Sequence, residues 1–583
     1  MAIRPGPREA LRWRVGEKAP LLQARGSGWR ASGASVAAAS VLLAGLAGPL
    51  AAQPAAAGRQ PAITEPPVRY DTDLLAPEFH RGRRAALLES LPANAVAVIL
   101  STPRRNREND VDFEYRQDSY LYYLTGTHEP SSVLVLAPGG IEVDDEQVTE
   151  LLMVPPRDPA SEMWTGRLFG ADRAEARLGV EKAVTIERFE EILGPLLESR
   201  RLYHLPLPDG LASGSQLDRQ VAFLVEKGKV LRLQGRFVRF ALPRMLSVST
   251  DEELRRTRAL LRRLSDRFGA EALGGPATRE IFDAFLAAGS ASDWRAWKKE
   301  HIEGRYADGS LLRSRLDALR AVKTDEELAL LRRAIDITVE AHREAMRSIE
   351  PGMHEYEVEA LVEYIFRRNG AEHPGFPSII GSGENSVILH YETNRRRMEA
   401  ADMVVIDIGA EYHGYSADVT RTVPVDGVFS PEQRSIYELV LRAQEKALGA
   451  ARAGRSFNAP HAAARKVLLE GMRELGLVSK EEELGRFFMH GTSHYVGLYV
   501  HDVGSYGKLE PGNVITVEPG IYIAAAPDID PKWWNIGVRI EDDVLVTEGD
   551  PVVLSASAPR TVAEIEALMR EKGLGNAAAG KVE

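Results

Sequence analysis

The sequence predicts an α/β fold of mixed (α+β) arrangement, split into two folded domains with a helical connector between them. Three observations carry this reading. Short apolar runs alternate with polar, helix-like stretches from about residue 85 to 200, Thr-Asp-Glu-Glu-Leu segments open periodic helices at Thr250 and Thr324, and the last part of the chain returns to strand-like runs ending in glycine-rich turns. A chain of 583 residues also exceeds what one hydrophobic core organises.

Taken from the N-terminus, residues 1–52 read as an export signal. Arginines are scattered up to Arg30, a small and apolar run follows from Ala34 to Leu50, and Ala51-Ala52 precede Gln53. A membrane anchor or an extension without structure are the competing readings. Gly45, Gly48 and Pro49 interrupt the run and weigh against spanning. The expectation is an exported protein, periplasmic or extracellular, with no stable membrane span after processing. Residues 53–80, whose first part is rich in Ala, Pro and Gln, read as a flexible linker.

The first domain is expected over 81–200. Its strands are Ala95-Val96-Ala97-Val98-Ile99-Leu100, Ser132-Val133-Leu134-Val135-Leu136 and Leu151-Leu152-Met153-Val154, and Ala171 to Leu178 has a helical pattern. Residues 201–317 are expected to form a mostly helical insertion or connector, where Thr250 and Glu253 make a capping box. The second domain is expected over 318–575. Its opening helix is capped by Thr324 and Glu327 and carries Leu328, Leu331, Ile335 and Val339 on one face. The two capped segments do not make a repeat, because their flanks differ.

Composition removes several function classes. Apolar residues at 44% and charged residues at 27% describe a globular chain. The formal charge is −11, and the first 52 residues carry seven Arg or Lys against two Glu, so the remainder stands at about −16. Such an acidic body argues against nucleic acid as a partner. The absence of cysteine excludes disulfides, thiolate metal sites and cysteine nucleophiles, which leaves His, Asp and Glu as metal ligands.

Candidate chemistry sits in four blocks. Asp407 ends the apolar run Val404-Val405-Ile406, and Gly409 and Gly414 allow a hairpin that returns Asp418 beside it. Two carboxylates so close repel unless a proton or cation is shared. His494 lies in His490-Gly491-Thr492-Ser493-His494, Glu518 in Val517-Glu518-Pro519-Gly520, and Glu541 in Val538-Arg539-Ile540-Glu541-Asp542-Asp543. Two Asp, two Glu and one His make a hard-oxygen set suited to two divalent ions. Strand alternation would put Arg539 and Glu541 on one face, so that Arg539 could help hold the cluster. Singly, each residue also has an ordinary reading: a capping Asp, a His satisfied by a carbonyl, or acidic residues on a solvated strand end.

These blocks, with Ile380-Gly381-Ser382-Gly383-Glu384-Asn385 through His390-Tyr391, closely resemble the aminopeptidase P and prolidase branch of the metallopeptidases with the creatinase, or pita-bread, fold. Tyr115-Arg116-Gln117-Asp118-Ser119, Tyr123-Leu124-Thr125-Gly126, Pro156-Arg157-Asp158-Pro159 and Trp164-Thr165-Gly166 resemble the creatinase-like N-terminal domain of aminopeptidase P. The stretch 201–317 is unmatched.

The resemblance implies that Asp407, Asp418, His494, Glu518 and Glu541 bind two divalent metal ions, manganese in most of this family. It implies release of the N-terminal residue from peptides with proline in second position, through a hydroxide bridging the two ions, with Glu518 as general base. His390 and His501 would stabilise the oxyanion and orient the peptide, and His490 would border the proline pocket; a purely structural role for each remains the alternative. Tyr522 and Arg539 would support the centre. By the same analogy the protein forms a homo-oligomer, a dimer or tetramer. Prolidase, which cleaves only dipeptides with the same metal set, is the rival within the class. A non-catalytic binding protein on the pita-bread shell is the rival outside it, and the intact ligand set counts against it.

Overall fold

Six consecutive apolar residues, Ala95–Leu100, form a strand buried along its whole length. A strand covered on both faces has no need of polar alternation. In the computed structural model, which describes residues 71–231, 236–269, 276–303, 305–307 and 309–576, this strand lies inside a five-stranded mixed sheet. The order is Lys182–Thr185, Glu146–Val154, Val133–Val143, Ala95–Leu100 and Arg201–His204, with the outer two strands parallel to their neighbours and the inner pairs antiparallel. Successive side chains point to opposite faces. Accordingly Ala95, Ala97 and Ile99 pack with the helices Pro77–Ser90 and Ser119–Thr125, while Val96, Val98 and Leu100 pack with Phe189–Ser199 and Gln216–Glu226.

The expected export segment 1–52 and residues 53–70 of the expected linker lie outside the described residues. The rest of that linker is partly ordered, because the helix Pro77–Ser90 starts inside it with proline at its first position, where the ring pre-sets φ and no amide donor is needed. Strand Arg201–His204 falls within the stretch expected as connector and pairs in parallel with Ala95–Val98. From Gln216 to Ala321 the described residues are helical apart from their links. Four of these helices share a core of their own around Phe285 and Trp294. Capping boxes form at both Thr250 and Thr324. No helix among the described residues is long and apolar enough to cross a membrane.

The C-terminal half is built on short antiparallel strands backed by long helices. Strands Ile379–Ser382, Met403–Ile408 and Val419–Pro424 form one sheet, Val514–Val517, Asp542–Leu545 and Val552–Val553 another, and Gly520–Ile523 pairs with Ile536–Arg539. Helices Asp325–Ser348, Glu355–Arg368, Pro431–Leu448 and Ala459–Glu474 supply the apolar side chains that bury these strands. The two halves share a core, since Leu330, Leu331, Tyr415, Val496 and Leu498 pack with the N-terminal sheet.

The expected return of the chain after Asp407 is present. Asp407 pairs with Thr420, and His413 (φ 48°) and Gly414 (φ 83°) turn the hairpin between Tyr412 and Tyr415. Gly409 permits the close approach, because a Cβ there would lie 1.8 Å from the Ala417 carbonyl oxygen.

The turn is pinned by its histidine. His413 is buried, with Nδ1 2.8 Å from Glu372 and Nε2 3.0 Å from Asp73. Burial alone would lower its pKa, but the two carboxylates outweigh it and raise the value. A raised folded-state pKa adds stability that is complete below the unfolded value of about 6.5 and is lost as pH rises through the folded value. His413→Asn, which keeps a residue tolerant of positive φ, should therefore lower the urea midpoint more at pH 6 than at pH 9. The expected loss at pH 6 is on the order of 1 kcal/mol, limited by the partial exposure of both carboxylates. An equal loss at both pH values would contradict the charged latch.

Candidate metal centre

Strand ends from two sheets come together here. Asp407 is the penultimate residue of Met403–Ile408, Asp418 directly precedes Val419–Pro424, and Glu518 directly follows Val514–Val517. Because Asp407 faces Thr420 in the antiparallel register, Asp418 lies diagonally across from it on the same face. Carboxylate oxygens of Asp418 and Glu541 and a ring nitrogen of His494 all lie within 4.8 Å of one another. His494 Nε2 is 3.3 Å from Asp418 and 3.6 Å from Glu518, while its Nδ1 is 3.1 Å from the Tyr495 carbonyl. That carbonyl contact turns Nε2 inward.

The strand expected to run unbroken through Arg539 and Glu541 is broken there. Ile536–Arg539 belongs to one sheet and Asp542–Leu545 to another. At the crossing the Glu541 amide donates to the Thr420 carbonyl at 3.0 Å, so its hydrogen bond comes from a third strand instead of a continued ladder. The side chains still meet, through Thr420: Arg539 Nε donates to Thr420 Oγ1 at 3.1 Å, and Thr420 Oγ1 donates to Glu541 Oε2 at 2.6 Å. Arg539 also donates to Asp407 Oδ2 at 2.6 Å and to the Tyr522 hydroxyl at 2.9 Å.

The histidines divide. His490 is half-buried, donating from Nδ1 to the Gly491 carbonyl at 2.6 Å, with Nε2 2.9 Å from the Tyr522 hydroxyl and Nδ1 3.5 Å from Glu518. Burial and then the Arg539 charge push its pKa down to about 4, so the ring is neutral and Nε2 accepts from Tyr522. His501 is exposed at the rim, its ring 4.2 Å from that of His494, and burial of part of the ring, then His494 and His390, lower its pKa to about 4. His390 is exposed, one residue after Leu389, whose carbonyl lies 3.5 Å from Arg539 Nη2. Trp533 packs in the core, while Trp534 is partly exposed and donates to the Ile529 carbonyl at 2.9 Å.

Several participants were not marked out in the sequence. Asp542 and Asp543, for which a solvated strand end was the ordinary alternative, are buried. Asp542 pairs with Arg421 at 2.8 Å, and Asp543 accepts the Asp418 amide at 3.0 Å. Thr516 receives the His494 amide at 3.0 Å and donates to Glu518 at 3.3 Å. Their signal was slight, since threonine is common in strands.

The electrostatics ask for a cation. Burial, then Asp407, Asp543 and Glu518, push the Asp418 carboxyl well above the usual range. Burial and then Asp418 do the same to Glu541. Glu518 is raised by burial against the pull of His494 and Arg539, and Asp543 is pushed by burial to about 8. Asp407 Oδ1 and Asp543 Oδ1 are buried without a hydrogen-bond partner among the described residues. Clustered carboxylates with one imidazole and orphaned oxygens fit divalent ions.

Comparison with known proteins agrees with this chemistry. Residues 329–548 match metallopeptidase family M24, and residues 80–204 match the aminopeptidase P N-terminal domain. The chain is 36% identical over 504 residues to the Xaa-Pro aminopeptidase of Escherichia coli, a match covering 84% of this chain and 97% of that protein. The chain belongs to the Xaa-Pro aminopeptidase family. The solved structure of Pseudomonas aeruginosa aminopeptidase PepP superposes with a TM-score of 0.66 at 33% identity, covering 85% of this chain and 98% of that one. Escherichia coli aminopeptidase P with the inhibitor Pro-Leu gives the same TM-score. Human Xaa-Pro dipeptidase is 37% identical but over only 45% of this chain and 62% of its own length. This chain is a metal-dependent aminopeptidase, with an aminopeptidase P N-terminal domain and a pita-bread metallopeptidase domain for divalent metal ions.

A cation that relieves carboxylate repulsion binds the folded state and stabilises it. Saturating Mn2+ at about 100 times its Kd should therefore stabilise the metal-stripped enzyme by about 2.7 kcal/mol per site, read as a higher thermal midpoint. Asp418→Asn should remove most of that gain. A midpoint indifferent to metal in the unsubstituted protein would contradict the cation deficit.

Proposed function

We propose that this enzyme releases the first residue of peptides whose second residue is proline, using Asp407, Asp418, His494, Glu518 and Glu541 to hold two divalent ions, manganese in the working enzyme. The reading is carried by the ligand atoms of Asp418, His494 and Glu541 lying within 4.8 Å of one another, with Asp407 and Glu518 near enough to push the Asp418 and Glu541 carboxyls upward. Support for an aminopeptidase over a dipeptidase comes from coverage: the Xaa-Pro aminopeptidase match extends through the N-terminal domain, whereas the dipeptidase match covers less than half of the chain.

When bound, the ions polarise the scissile carbonyl and make water acidic enough to react near neutral pH. Glu518 takes a proton from the attacking water at Oε2, the oxygen that Thr516 leaves free, and returns it to the leaving proline nitrogen. Arg539 fixes Asp407 and aligns the Tyr522 hydroxyl, which in turn holds the neutral His490 ring beside the site. His490 then borders the proline ring, while His501 and His390, at the rim, donate to the carbonyl oxygen and orient the chain. An X-Pro bond is a tertiary amide without N–H, so recognition has to come from shape around the ring instead of an amide contact.

Residues 1–52 are read as an export signal, supported by the arginine-led run from Ala34 to Leu50, and the stretch from 53 up to the helix Pro77–Ser90 as linker. The folded parts are assigned as an N-terminal domain from the helix Pro77–Ser90 to the strand Arg201–His204, the connector from there to residue 317, and the catalytic domain 318–575. Assembly as a dimer or tetramer completes the proposal, resting on family analogy.

Hydrolysis of Ala-Pro-Ala and of Ala-Pro by the Mn2+-loaded enzyme tests the assignment. Cleavage of the tripeptide, abolished in Asp418→Ala and reduced about a thousandfold in kcat by Glu518→Gln, is the expected result. Cleavage of the dipeptide alone would move the enzyme to prolidase, and no cleavage with metal bound would favour a binding role.

A further inference from the structure

The loop Tyr495–Asp502 joins His494 to the rim histidine His501, and groups outside the metal centre tie it on both sides. Its ends pair, with the Asp502 amide donating to the Tyr495 carbonyl at 2.7 Å. The His501 ring makes no hydrogen bond among the described residues. Where it points is therefore set by the backbone on either side, together with the His494 ring 4.2 Å away.

Upstream, the Leu498 carbonyl accepts from Arg116 Nη2 at 2.7 Å and from Ser119 Oγ at 3.1 Å. Both donors come from the Tyr115-Arg116-Gln117-Asp118-Ser119 segment of the N-terminal domain, and Arg116 is anchored in turn by both Glu411 oxygens at 2.9 Å. Downstream, Asp502 is buried and takes hydrogen bonds from Arg320 on one oxygen and from Lys323 Nζ, at 2.8 Å, on the other. The Arg320 guanidinium lies 4.6 Å from the ring centroids of both Tyr120 and Tyr499, so it links the N-terminal domain, the helix Ser310–Ala321 and the loop. Gly497 leaves room for this arrangement, because a Cβ there would come within 2.2 Å of Asp502 Oδ2. Arg116, Glu411, Tyr499 and His501 line one cavity of about 620 Å³.

Burying two cations around one carboxylate is poor value for stability, because desolvation offsets the attraction, whereas fixed geometry is what such a cluster supplies well. Here that geometry is imposed on the residue next to His501. We propose that Arg320 and Lys323, acting through Asp502, and Arg116 with Ser119, acting through the Leu498 carbonyl, are positioning residues that hold His501 over the scissile bond. The inference rests on the reading that His501 contacts substrate.

A double-mutant cycle on the full, Mn2+-loaded chain with Ala-Pro-Ala tests it. Arg320→Met in the otherwise unchanged enzyme is expected to lower kcat by about ten- to hundredfold, the scale of a misplaced contact group, with a smaller change in KM. In a His501→Ala background the same substitution should cost less than about twofold, because the ring it positions is gone. Arg320→Lys, which retains a donor for Asp502, should recover part of the loss. Equal losses in both backgrounds would overturn the positioning role while leaving His501's own role intact. Full activity of His501→Ala would overturn both. Lys323→Met, which keeps the Arg320–Asp502 contact, runs the same cycle with the same readings if Arg320→Met does not fold.

Discussion

Asp407, Asp418, Glu518 and Glu541 meet at one buried point, and each is there against both the desolvation of its own charge and the repulsion of the others. Arg539 is the protein's internal answer, a buried guanidinium bonded to Asp407 and, through Thr420, tied to Glu541. One cation does not balance four carboxylates, and the raised pKa values of Asp418 and Glu541 register the remainder. Divalent ions held here, as proposed, would complete the balance and would make the site a constraint on folding as well.

That constraint explains why the strands here are short and come from separate sheets. A single long sheet would deliver its side chains in parallel rows, whereas ligands around a point must approach from several directions. The break at Ile540-Glu541 achieves this: the chain leaves the Gly520–Ile523 pairing, bonds to Thr420, and joins Val514–Val517. Gly409 lets the Asp407 and Asp418 strands close on each other without a side chain between them. The long helices behind supply the apolar burial that short strands cannot.

Much of the centre was legible because its chemistry forces residue type. A hard-metal site without cysteine is built from Asp, Glu or His, and an apolar run that ends in aspartate before glycine marks a candidate, which only the other blocks and their family resemblance single out. The Asp407–Asp418 hairpin and the capped helix at Thr324 follow from such local rules. Asp542 and Asp543 were less legible. Adjacent acids at a strand end look solvated, and only the distant Arg421 and the Asp418 amide make their burial tolerable. The unbroken 538–541 strand failed for a related reason, since alternation reports the two faces of a strand but not a change of partner. Strand Arg201–His204 was assigned to the connector because four residues carry too little pattern to be told from a loop.

The N-terminal domain contributes no ligand to the centre, yet it packs against the loop that bears His501 and lines a cavity with it. For an exopeptidase this division is physically sensible. Two metal ions and a general base will hydrolyse any amide placed before them, so selectivity for a free amino terminus followed by proline has to come from what surrounds the ions. A proline ring offers no donor and little polarity. Rejecting other peptides therefore depends on rigid walls, and rigidity in a loop is costly when supplied by that loop alone. Ties from a second domain provide it.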